Sequence, residues 1–439
     1  MEEVKHNKTA VVHVLGCKVN QAEAAAMARL LGLQGYAVEP DASNPDLIVV
    51  NTCCVTSRAE GKSRRLVHRL AEEHPRARLI VTGCLAEVYP ESISGLSEDQ
   101  QVLGASQKDR FAELISEATP GLAGVELPGE SSSCSFGDLA AAGHQGRARA
   151  YLKVQDGCSQ GCAYCIVPRA RGASRSLHRE RAIEYAQDME ASGFAEIVLT
   201  GIHLGTYGSD LEPRLLLEDL LERLLDACPT VRFRLSSVEP QEITLRLIEL
   251  VGRHPRVCRH FHIPMQSGHD GILARMGRPY DATFIVELVE RIFQTSPEAC
   301  VGMDIMVGFP GEDDRAFEQT RSLIEQLEPA YLHVFPFSPR PGTPAASFRP
   351  HVPREEAQAR VEGLRALSAA LRKSFYERFI GKVLVAVPEK SGASPDGVIT
   401  ARTDNYIPVK VVVERESQSE KQFRVRIEKI VRNEVWGKA

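Results

Sequence analysis

Short apolar runs alternate with amphipathic stretches along most of this chain, and this alternation limits its fold more than any other feature. In the first part, apolar runs at 10–15, 46–51 and 79–82 flank amphipathic stretches at 21–31 and 58–72. A βαβαβ order of this kind requires parallel strands, because each helix returns the chain to the same end of the sheet. The pattern predicts an N-terminal α/β domain built on a parallel sheet.

The central part repeats the alternation six times. Strand candidates lie at 151–155, 196–200, 232–236, 260–264, 303–308 and 331–335, each followed by a helical pattern. Six such repeats predict a partial (β/α)6 TIM-like barrel, whose chemistry belongs at the carboxyl ends of the strands.

The C-terminal part has a different pattern. A long amphipathic helix is predicted at 354–380, and short β-rich runs follow at 383–387, 398–401, 407–413 and 423–430. These runs predict a small β-barrel of a type that binds RNA or single strands. We therefore expect domains at 1–118, 147–375 and 376–439, with a linker rich in Gly, Ala and Ser at 119–146.

Three cysteines follow the first strand of the central part in the spacing Cys-x-x-x-Cys-x-x-Cys. Cys158, Cys162 and Cys165 offer three thiolates to one compact centre. A structural zinc site has four protein ligands, whereas an iron–sulfur cube held by three cysteines leaves one iron open to bind another molecule. The spacing favours a reactive cluster over a structural ion.

A second set of cysteines occupies strand ends in the N-terminal domain. Cys17, Cys53 and Cys84 each follow a predicted strand directly, and the carboxyl ends of parallel strands share one edge of the sheet. We therefore expect a second three-thiolate site there. Cys54 should point to the opposite side. The remaining cysteines have no partner spacing and are interpreted as packing or surface thiols: Cys134, Cys228, Cys258 and Cys300.

Composition indicates a globular protein without an export signal. The sequence lacks apolar stretches of membrane-spanning length, and eleven cysteines without a signal peptide favour reduced thiols. We expect a cytoplasmic protein with no membrane partner. The net charge is -5, but residues 371–439 carry 14 Lys and Arg against 9 Asp and Glu. A basic tail is compatible with phosphate contacts, and equally with an ordinary solvated surface.

The cysteine spacing, with Tyr164 before the last cysteine, resembles the radical S-adenosylmethionine (SAM) superfamily. Several further phrases are distinctive: LTGIH at 199–203, SSVEP at 236–240, HIPMQSG at 262–268, GFPGE at 308–312 and SPRPGTPA at 338–345. With these phrases, the second triad and the β module, nearly the whole chain resembles the radical SAM methylthiotransferases. The phrases LGCKVNQ at 15–21 and NTCCVT at 51–56 resemble the branch acting on N6-threonylcarbamoyladenosine beside the tRNA anticodon.

The resemblance implies two 4Fe-4S clusters and a division of labour between them. The cluster on Cys158, Cys162 and Cys165 would cleave SAM to a radical that removes hydrogen from carbon 2 of adenine. The cluster on Cys17, Cys53 and Cys84 would hold the sulfur that is methylated by a second SAM and then transferred. An electron donor and a sulfur source are implied as partners.

Candidate contacts to SAM rest on motif position. The candidates are Tyr164, Gly201, Ser237, Glu239, Gln266 and Asp304. All but Tyr164 are expected at or beyond strand ends, and any of them is equally explained as a cap or turn residue. Arg175 could pair with a carboxylate or phosphate, or form a surface ion pair. Leu177 stands where the family motif usually has arginine, which puts a role for that guanidinium in doubt.

The β module resembles a TRAM domain through the phrase TDNY at 403–406. The resemblance implies that it grips the anticodon stem or loop of tRNA, although exposed charges and packed rings explain the same residues. The candidates are Lys382, Tyr406, Lys410, Arg424, Arg426 and Lys429.

Two alternatives stay open. Related enzymes act on N6-isopentenyladenosine in tRNA or on an aspartate of a ribosomal protein, and these would share both clusters. An RNA-binding protein whose cysteines hold structural zinc, without catalysis, is the alternative from another class.

Overall fold

A computed structural model describes residues 8–116, 139, 141–142, 148–389, 397–412 and 421–439. Cys134 and nearly all of the expected linker at 119–146 lie outside these ranges. In the described parts of the chain, we find no helix that is both long and apolar enough to cross a bilayer.

The N-terminal domain is a five-stranded parallel sheet in the order β2-β1-β3-β4-β5. The central strand β3 is buried along its whole length, which explains its apolar run from Leu47 to Val50. The short strands β2 and β5 and the helix α3 escaped sequence analysis, because two to five residues show no periodicity. The elements are β1 (Thr9–Val14), α1 (Lys18–Leu33), β2 (Ala37–Val38), β3 (Leu47–Thr52), α2 (Ser57–Glu73), β4 (Arg78–Gly83), α3 (Cys84–Val88), β5 (Gln100–Leu103) and α4 (Phe111–Ser116).

The central domain is an open barrel made of two parallel half-sheets. One has the order β11-β10-β7, with the two-residue β6 antiparallel at its edge, and the other has the order β12-β13-β14. A bridge between Ser237 and His262 joins the halves. The six βα strands confirm the predicted partial barrel. The elements are listed here in chain order: β6 (Ala141–Ala142), β7 (Arg149–Lys153), β8 (Gln155–Asp156), α5 (Val167–Arg171), β9 (Arg175–Ser176), α6 (Arg179–Ala191), β10 (Glu196–Thr200), α7 (Leu217–Ala227), β11 (Arg232–Leu235), α8 (Leu245–Arg253), β12 (His260–Gln266), α9 (Asp270–Met276), α10 (Ala282–Thr295), β13 (Cys300–Val307), α11 (Asp314–Leu327) and β14 (Tyr331–Pro336).

The C-terminal part is a closed five-stranded barrel in the order β15-β16-β17-β19-β18, which confirms the predicted small β-barrel. Phe375 and Phe379, at the end of α12, pack into the same hydrophobic cluster as the barrel strands. The last strand, β19, was not predicted, because Gly437 and flanking charges interrupt its apolar pattern. The elements are α12 (Arg354–Glu377), β15 (Val383–Pro388), β16 (Val398–Thr403), β17 (Pro408–Val412), β18 (Phe423–Val431) and β19 (Glu434–Lys438).

The small barrel closes the amino-terminal end of the open barrel through buried arginines. Arg232 donates hydrogen bonds to the carbonyl oxygens of Val385 at 3.1 Å and Arg402 at 2.7 Å. Arg234 donates to the carbonyl oxygen of Thr403 at 2.9 Å. Both guanidiniums also bind Glu196, whose side chain is fully buried. These bonds fix the small barrel against the strands of the larger one.

Candidate active site

The three N-terminal cysteines converge at the carboxyl edge of the first sheet. Cys17 precedes the first residue of α1, Cys53 follows β3, and Cys84 begins α3. Gly16 brings the first loop onto the second: it has φ +103°, and a Cβ placed there would lie 2.8 Å from Cys53 Cβ. Only glycine accommodates both the left-handed backbone and this contact.

Amide and hydroxyl side chains tie the three loops together. Asn20 Nδ2 donates to the carbonyl oxygens of Leu15 at 2.7 Å and Thr52 at 2.9 Å. Thr52 Oγ1 donates to the carbonyl oxygen of Thr82 at 2.6 Å. The loops that carry the three cysteines are therefore held in one arrangement before any cluster binds.

Two thiols of this triad, those of Cys17 and Cys53, are poorly ionised in the protein alone. Cys17 is the solvent-accessible member, yet protein atoms surround its sulfur and burial raises its pKa. Burial, together with the charges of Cys84 and Cys17, raises the pKa of Cys53 to about 12. Such thiols stay protonated at neutral pH unless a metal replaces the proton. The three free thiols are close enough to influence one another electrostatically, as expected for ligands of one metal cluster.

The second triad lies in the loop after β8. Gly157 has φ +70°, and a Cβ there would lie 2.0 Å from the carbonyl oxygen of Ala173, so the loop starts with a close backbone approach. Burial raises the pKa of Cys165 to about 12, and burial also raises the pKa of Cys162 despite the nearby Arg278. All three cysteines are free and partly buried. Their role as cluster ligands stays a prediction that this chemistry supports.

A single small ion does not suit either triad. Among the described residues, one group of three ligand atoms lies within 4.8 Å of one another, and it consists of His262, Asp304 and His333. Zinc needs ligands at about 2.0–2.3 Å, which requires a comparably compact group. Among the described residues neither cysteine triad forms so compact a group, so its sulfurs are spaced more widely, which is compatible with a larger cluster.

Cys54 and the other described cysteines serve packing. Cys54 is fully buried in the hydrophobic core beside β3, and its thiol donates to the carbonyl oxygen of Cys84 at 3.3 Å. Cys228, Cys258 and Cys300 are also buried. These positions agree with their interpretation as packing thiols.

A buried ionic network connects the two triads. Arg171 binds Glu23 at 2.9 Å and Asp156 at 2.8 Å. Glu23 belongs to α1, the helix that starts after Cys17, and Asp156 lies two residues before Cys158. Lys108 and Lys153 also bind Glu23, the latter at 3.0 Å. One guanidinium therefore anchors the loops of both triads.

We expect Glu23→Ala to destabilise the protein by about 3–5 kcal/mol, since it leaves buried cations without their carboxylate. Burial would raise the pKa of Glu23, but Arg171, Lys108 and Lys153 outweigh burial and hold the pKa well below its usual range. This contribution is complete above the ordinary pKa of glutamic acid and is lost as the pH falls through the lowered one. Denaturant unfolding at pH 7, and at pH values stepped from about 5 down to about 2, measures both effects.

The control for this prediction is Glu72→Ala, because Glu72 is exposed on α2. It should change the free energy of unfolding by less than about 0.5 kcal/mol. Equal effects of the two substitutions would show that the buried network contributes no special stability.

The structure gives most of the SAM candidates partners within the protein. Ser237 Oγ lies 2.6 Å from His262 Nδ1, and Glu239 accepts from Arg278 at 2.6 Å. Tyr164 Oη accepts from the same Arg278 at 2.5 Å. These contacts arrange the candidates, while their role in binding SAM stays a prediction.

Gln266 offers the clearest sign of a ligand. It ends β12 with φ 68°, a left-handed conformation that strains a residue other than glycine, and its buried Oε1 has no hydrogen-bond partner among the described residues. Gly201 is packed closely, since a Cβ there would lie 2.8 Å from Gln155 Oε1. An unpaired acceptor at this edge is compatible with the expected cofactor.

Asp304 does not lie at a strand end, so that part of the expectation was wrong. It sits in the middle of β13, which continues past it to Val307, and its carboxylate lies 3.2 Å from His262 Nε2 and 3.2 Å from His333 Nδ1. Burial would raise the pKa of Asp304, but the two imidazoles outweigh burial and hold it well below its usual range. Asp304 is the centre of a His–Asp–His cluster inside the barrel.

Sequence analysis missed two residues beside the second triad. His203 Nδ1 lies 3.3 Å from Cys158 Sγ, and its Nε2 lies 2.6 Å from Glu242. Burial would lower the pKa of His203, but the hydrogen bonds to Cys158 and Glu242 outweigh burial and raise the pKa to about 10. Arg278, which joins Tyr164 to Glu239, is the other. His203 lies within the phrase at 199–203, but Arg278 has no sequence signal.

Leu177 and Arg175 both contact other groups of the protein. Leu177 is buried in the barrel core, and its carbonyl oxygen accepts from Tyr207 Oη at 2.9 Å. A guanidinium at this position would need buried partners. Arg175 lies 3.9 Å from Asp156, at the margin of the ionic network.

The basic candidates of the small barrel fall into two groups. Arg424, Arg426 and Lys429 are exposed on β18. Lys382 is bound to Glu298 at 2.6 Å and Lys410 to Glu434 at 2.7 Å. Lys382 is exposed as well, and Arg426 donates to the carbonyl oxygen of Gly381 at 3.0 Å. Among the described residues the three β18 cations form no ion pair with a carboxylate, so they are the better placed for a phosphate backbone.

The expectation that Tyr406 stacks on a base is not supported. Its ring packs against His260, with 4.2 Å between ring centroids, and Arg234 and Arg402 also contact the ring. Tyr406 thus fills the joint between the two barrels, where its faces meet protein groups. The turn that carries it projects toward the larger barrel, a tertiary contact that sequence does not reveal.

Comparisons with known proteins agree with this architecture. Residues 9–104 match the "Uncharacterized protein family UPF0004", and residues 152–324 match the radical SAM superfamily. The chain is 34% identical over 406 residues to threonylcarbamoyladenosine tRNA methylthiotransferase MtaB of Bacillus subtilis, covering 91% of this chain and 90% of that protein. It is 36% identical over 381 residues to the protein of the same name from Thermotoga maritima, covering 85% of each.

Among solved structures, the radical SAM methyltransferase TsrM from Kitasatospora setae, with cobalamin and a [4Fe-4S] cluster bound, superposes with a TM-score of 0.56. The identity is 14%, and 77% of each chain is covered. At this identity the likeness concerns the fold alone.

Proposed function

Because the chain belongs to the MtaB family of radical SAM methylthiotransferases, we propose that it converts N6-threonylcarbamoyladenosine at position 37 of tRNA to its 2-methylthio derivative. Family membership implies a 4Fe-4S cluster and SAM, and transfer of a methylthio group. The specific substrate and a second cluster are the proposal. The observation that carries it is the pair of three-cysteine sites anchored by the same buried arginine.

When bound, the two clusters and SAM would supply a hydrogen-abstracting radical and a methylated sulfur. Cys158, Cys162 and Cys165 would hold the first cluster, and Cys17, Cys53 and Cys84 the second. The chain itself fixes how these groups face each other. Arg171 binds Glu23 beside one site and Asp156 beside the other, so both loops share one rigid support. The two loops would then keep their arrangement while a base is bound between them.

The target base must leave its stack to expose carbon 2. This costs at most a few kcal/mol in an anticodon loop, where the base is not paired. The exposed cations of β18 offer an electrostatic grip on the RNA backbone that can offset this cost.

The test uses anaerobically reconstituted protein with SAM, a reductant and anticodon stem-loop RNAs. The RNAs carry N6-threonylcarbamoyladenosine, N6-isopentenyladenosine or adenosine at position 37, and nucleoside mass spectrometry reads the product. We expect 2-methylthio product from the first RNA. Product from the isopentenyl RNA alone would show that N6-isopentenyladenosine is the substrate. Zinc without iron in the protein would exclude radical chemistry.

We expect a variant with Arg424→Gln, Arg426→Gln and Lys429→Gln to bind tRNA more weakly. Because three phosphate contacts would be lost, the slope of log affinity against log salt should become shallower by about 2 to 3. Fluorescence anisotropy at several salt concentrations measures this. The control is Lys382→Gln with Lys410→Gln, since both lysines are already bound to carboxylates. If the control loses as much affinity and slope as the triple variant, β18 is not the contact surface.

A further inference from the structure

Three polar side chains meet on neighbouring strands of the second half-sheet. His262 belongs to β12, Asp304 to β13 and His333 to β14, and these strands are adjacent and parallel. The residue before and the residue after each of them belong to the hydrophobic core that packs against the helices. Because side chains alternate between the two faces of a strand, the three polar groups lie on the opposite face, toward the barrel interior.

The three groups are as close together as the ligands of one ion. Their ligand atoms lie within 4.8 Å of one another. One carboxylate oxygen, Asp304 Oδ1, lies 3.2 Å from His262 Nε2 and 3.2 Å from His333 Nδ1. Two donor atoms that each lie about 2.0–2.1 Å from one tetrahedral ion are about 3.3–3.4 Å apart. Both distances to Asp304 are near this value, and the half-exposed His333 has room to adjust the third.

His262 keeps one ring nitrogen free. The residue is 6% exposed, and among the described residues its Nε2 has no hydrogen-bond partner, although Asp304 is near. The Nε2 atom is therefore not directed at the carboxylate. On the other side of the ring, Nδ1 lies 2.6 Å from Ser237 Oγ. A histidine that binds a metal commonly donates its second N–H to a neighbouring group, which fixes the ring and leaves the other nitrogen for the ion.

The arrangement is that of an open metal site. Three protein ligands leave at least one coordination position for water or for an oxygen atom of another molecule. His333 has 57% of its side chain exposed, so solvent reaches the cluster. Two imidazoles and one carboxylate suit divalent first-row transition metals such as Zn²⁺, whereas Mg²⁺ and Ca²⁺ prefer sites made of oxygen atoms alone.

We propose that His262, Asp304 and His333 bind one divalent transition-metal ion, with Zn²⁺ as the model ion, at a site that uses none of the cysteines. Ser237 is a positioning residue, because it holds the ring of His262. Asp304 was a candidate contact to SAM, but it lies in the middle of β13 and not at the strand-end edge where the cofactor is expected. The proposed function does not enter this inference.

The test measures zinc uptake by the full chain after anaerobic cluster reconstitution, without SAM or RNA. The protein is dialysed to equilibrium against micromolar Zn²⁺, and zinc and iron are measured by mass spectrometry. We expect one zinc ion per chain and an unchanged iron content. Asp304→Asn and His333→Ala should each weaken zinc binding by at least about tenfold, since loss of an outer-shell partner alone costs that much. His351→Ala, at an exposed histidine, is the matched control and should bind zinc like the wild type.

X-ray absorption at the zinc edge identifies the ligands. We expect nitrogen and oxygen neighbours at about 2.0–2.1 Å and no sulfur at about 2.3 Å. Sulfur neighbours, or zinc uptake matched by loss of iron, would place the ion on the cysteines and overturn the inference.

Two further results would also overturn it: no uptake at micromolar zinc, or equal affinity in the wild type and both ligand variants. Circular dichroism and iron content report on folding, and the half-exposed His333 decides the matter if Asp304→Asn does not fold. Zinc binding is measured without turnover, so a failure of methylthio transfer would contradict the proposed function and leave this site unaffected.

Discussion

Replacing Cys162 with alanine is expected to abolish reductive cleavage of SAM. Cys162 is the middle member of the triad in the barrel loop, and two thiolates cannot hold a cube that leaves one iron open for SAM. The iron content should fall by roughly half, to about four atoms per chain, because the N-terminal triad is untouched. Anaerobic assay of 5′-deoxyadenosine after reduction, together with iron and sulfide analysis, measures both quantities.

The matched control is Cys228→Ala, which removes a buried thiol from the barrel core far from either triad in sequence. It should cost some stability through the cavity it leaves but keep SAM cleavage and the full iron content. SAM cleavage that persists in Cys162→Ala at the wild-type rate would disprove the assignment of this loop.

Cys53→Ala should give the opposite phenotype, with SAM cleavage retained and methylthio product lost. Cys53 lies in the N-terminal triad, which would hold the transferred sulfur, whereas the barrel loop and its ligands stay intact. Its neighbour Cys54 provides a close control, because that side chain packs into the core and binds only a backbone carbonyl. Cys54→Ala should still yield product. Equal loss of cleavage and product in Cys53→Ala, with the fold intact, would contradict two separate roles.

The elements and the cysteine sites were predictable because both follow from short-range rules. Strand β3 shows an apolar run and helix α2 a helical period within short stretches of sequence, and the parallel order of the strands then places Cys17, Cys53 and Cys84 at one edge. The residues of each site need not be near in sequence for this argument. They need only follow strands of the same sheet.

Side-chain partnerships across domains could not be predicted. Arg171 meets Glu23 over a separation of 148 residues, and nothing local distinguishes either from a surface charge. The misread position of Tyr406 has the same cause, since a ring in a basic β module looks exposed until the neighbouring barrel is in place.

The joint between the two barrels limits how the chain can be cut or recombined. Arg232 and Arg234 donate hydrogen bonds to backbone carbonyl oxygens of the terminal barrel. Removal of that barrel would leave both guanidiniums without these acceptors and would expose the hydrophobic cluster between the two barrels. We therefore expect a truncated protein to be poorly soluble, so it is unsuitable for measuring the contribution of the small barrel to RNA binding. Hybrids that borrow the tail of a relative should keep the backbone shape of the 402–404 turn, since the arginines contact main-chain atoms and are indifferent to side-chain identity there.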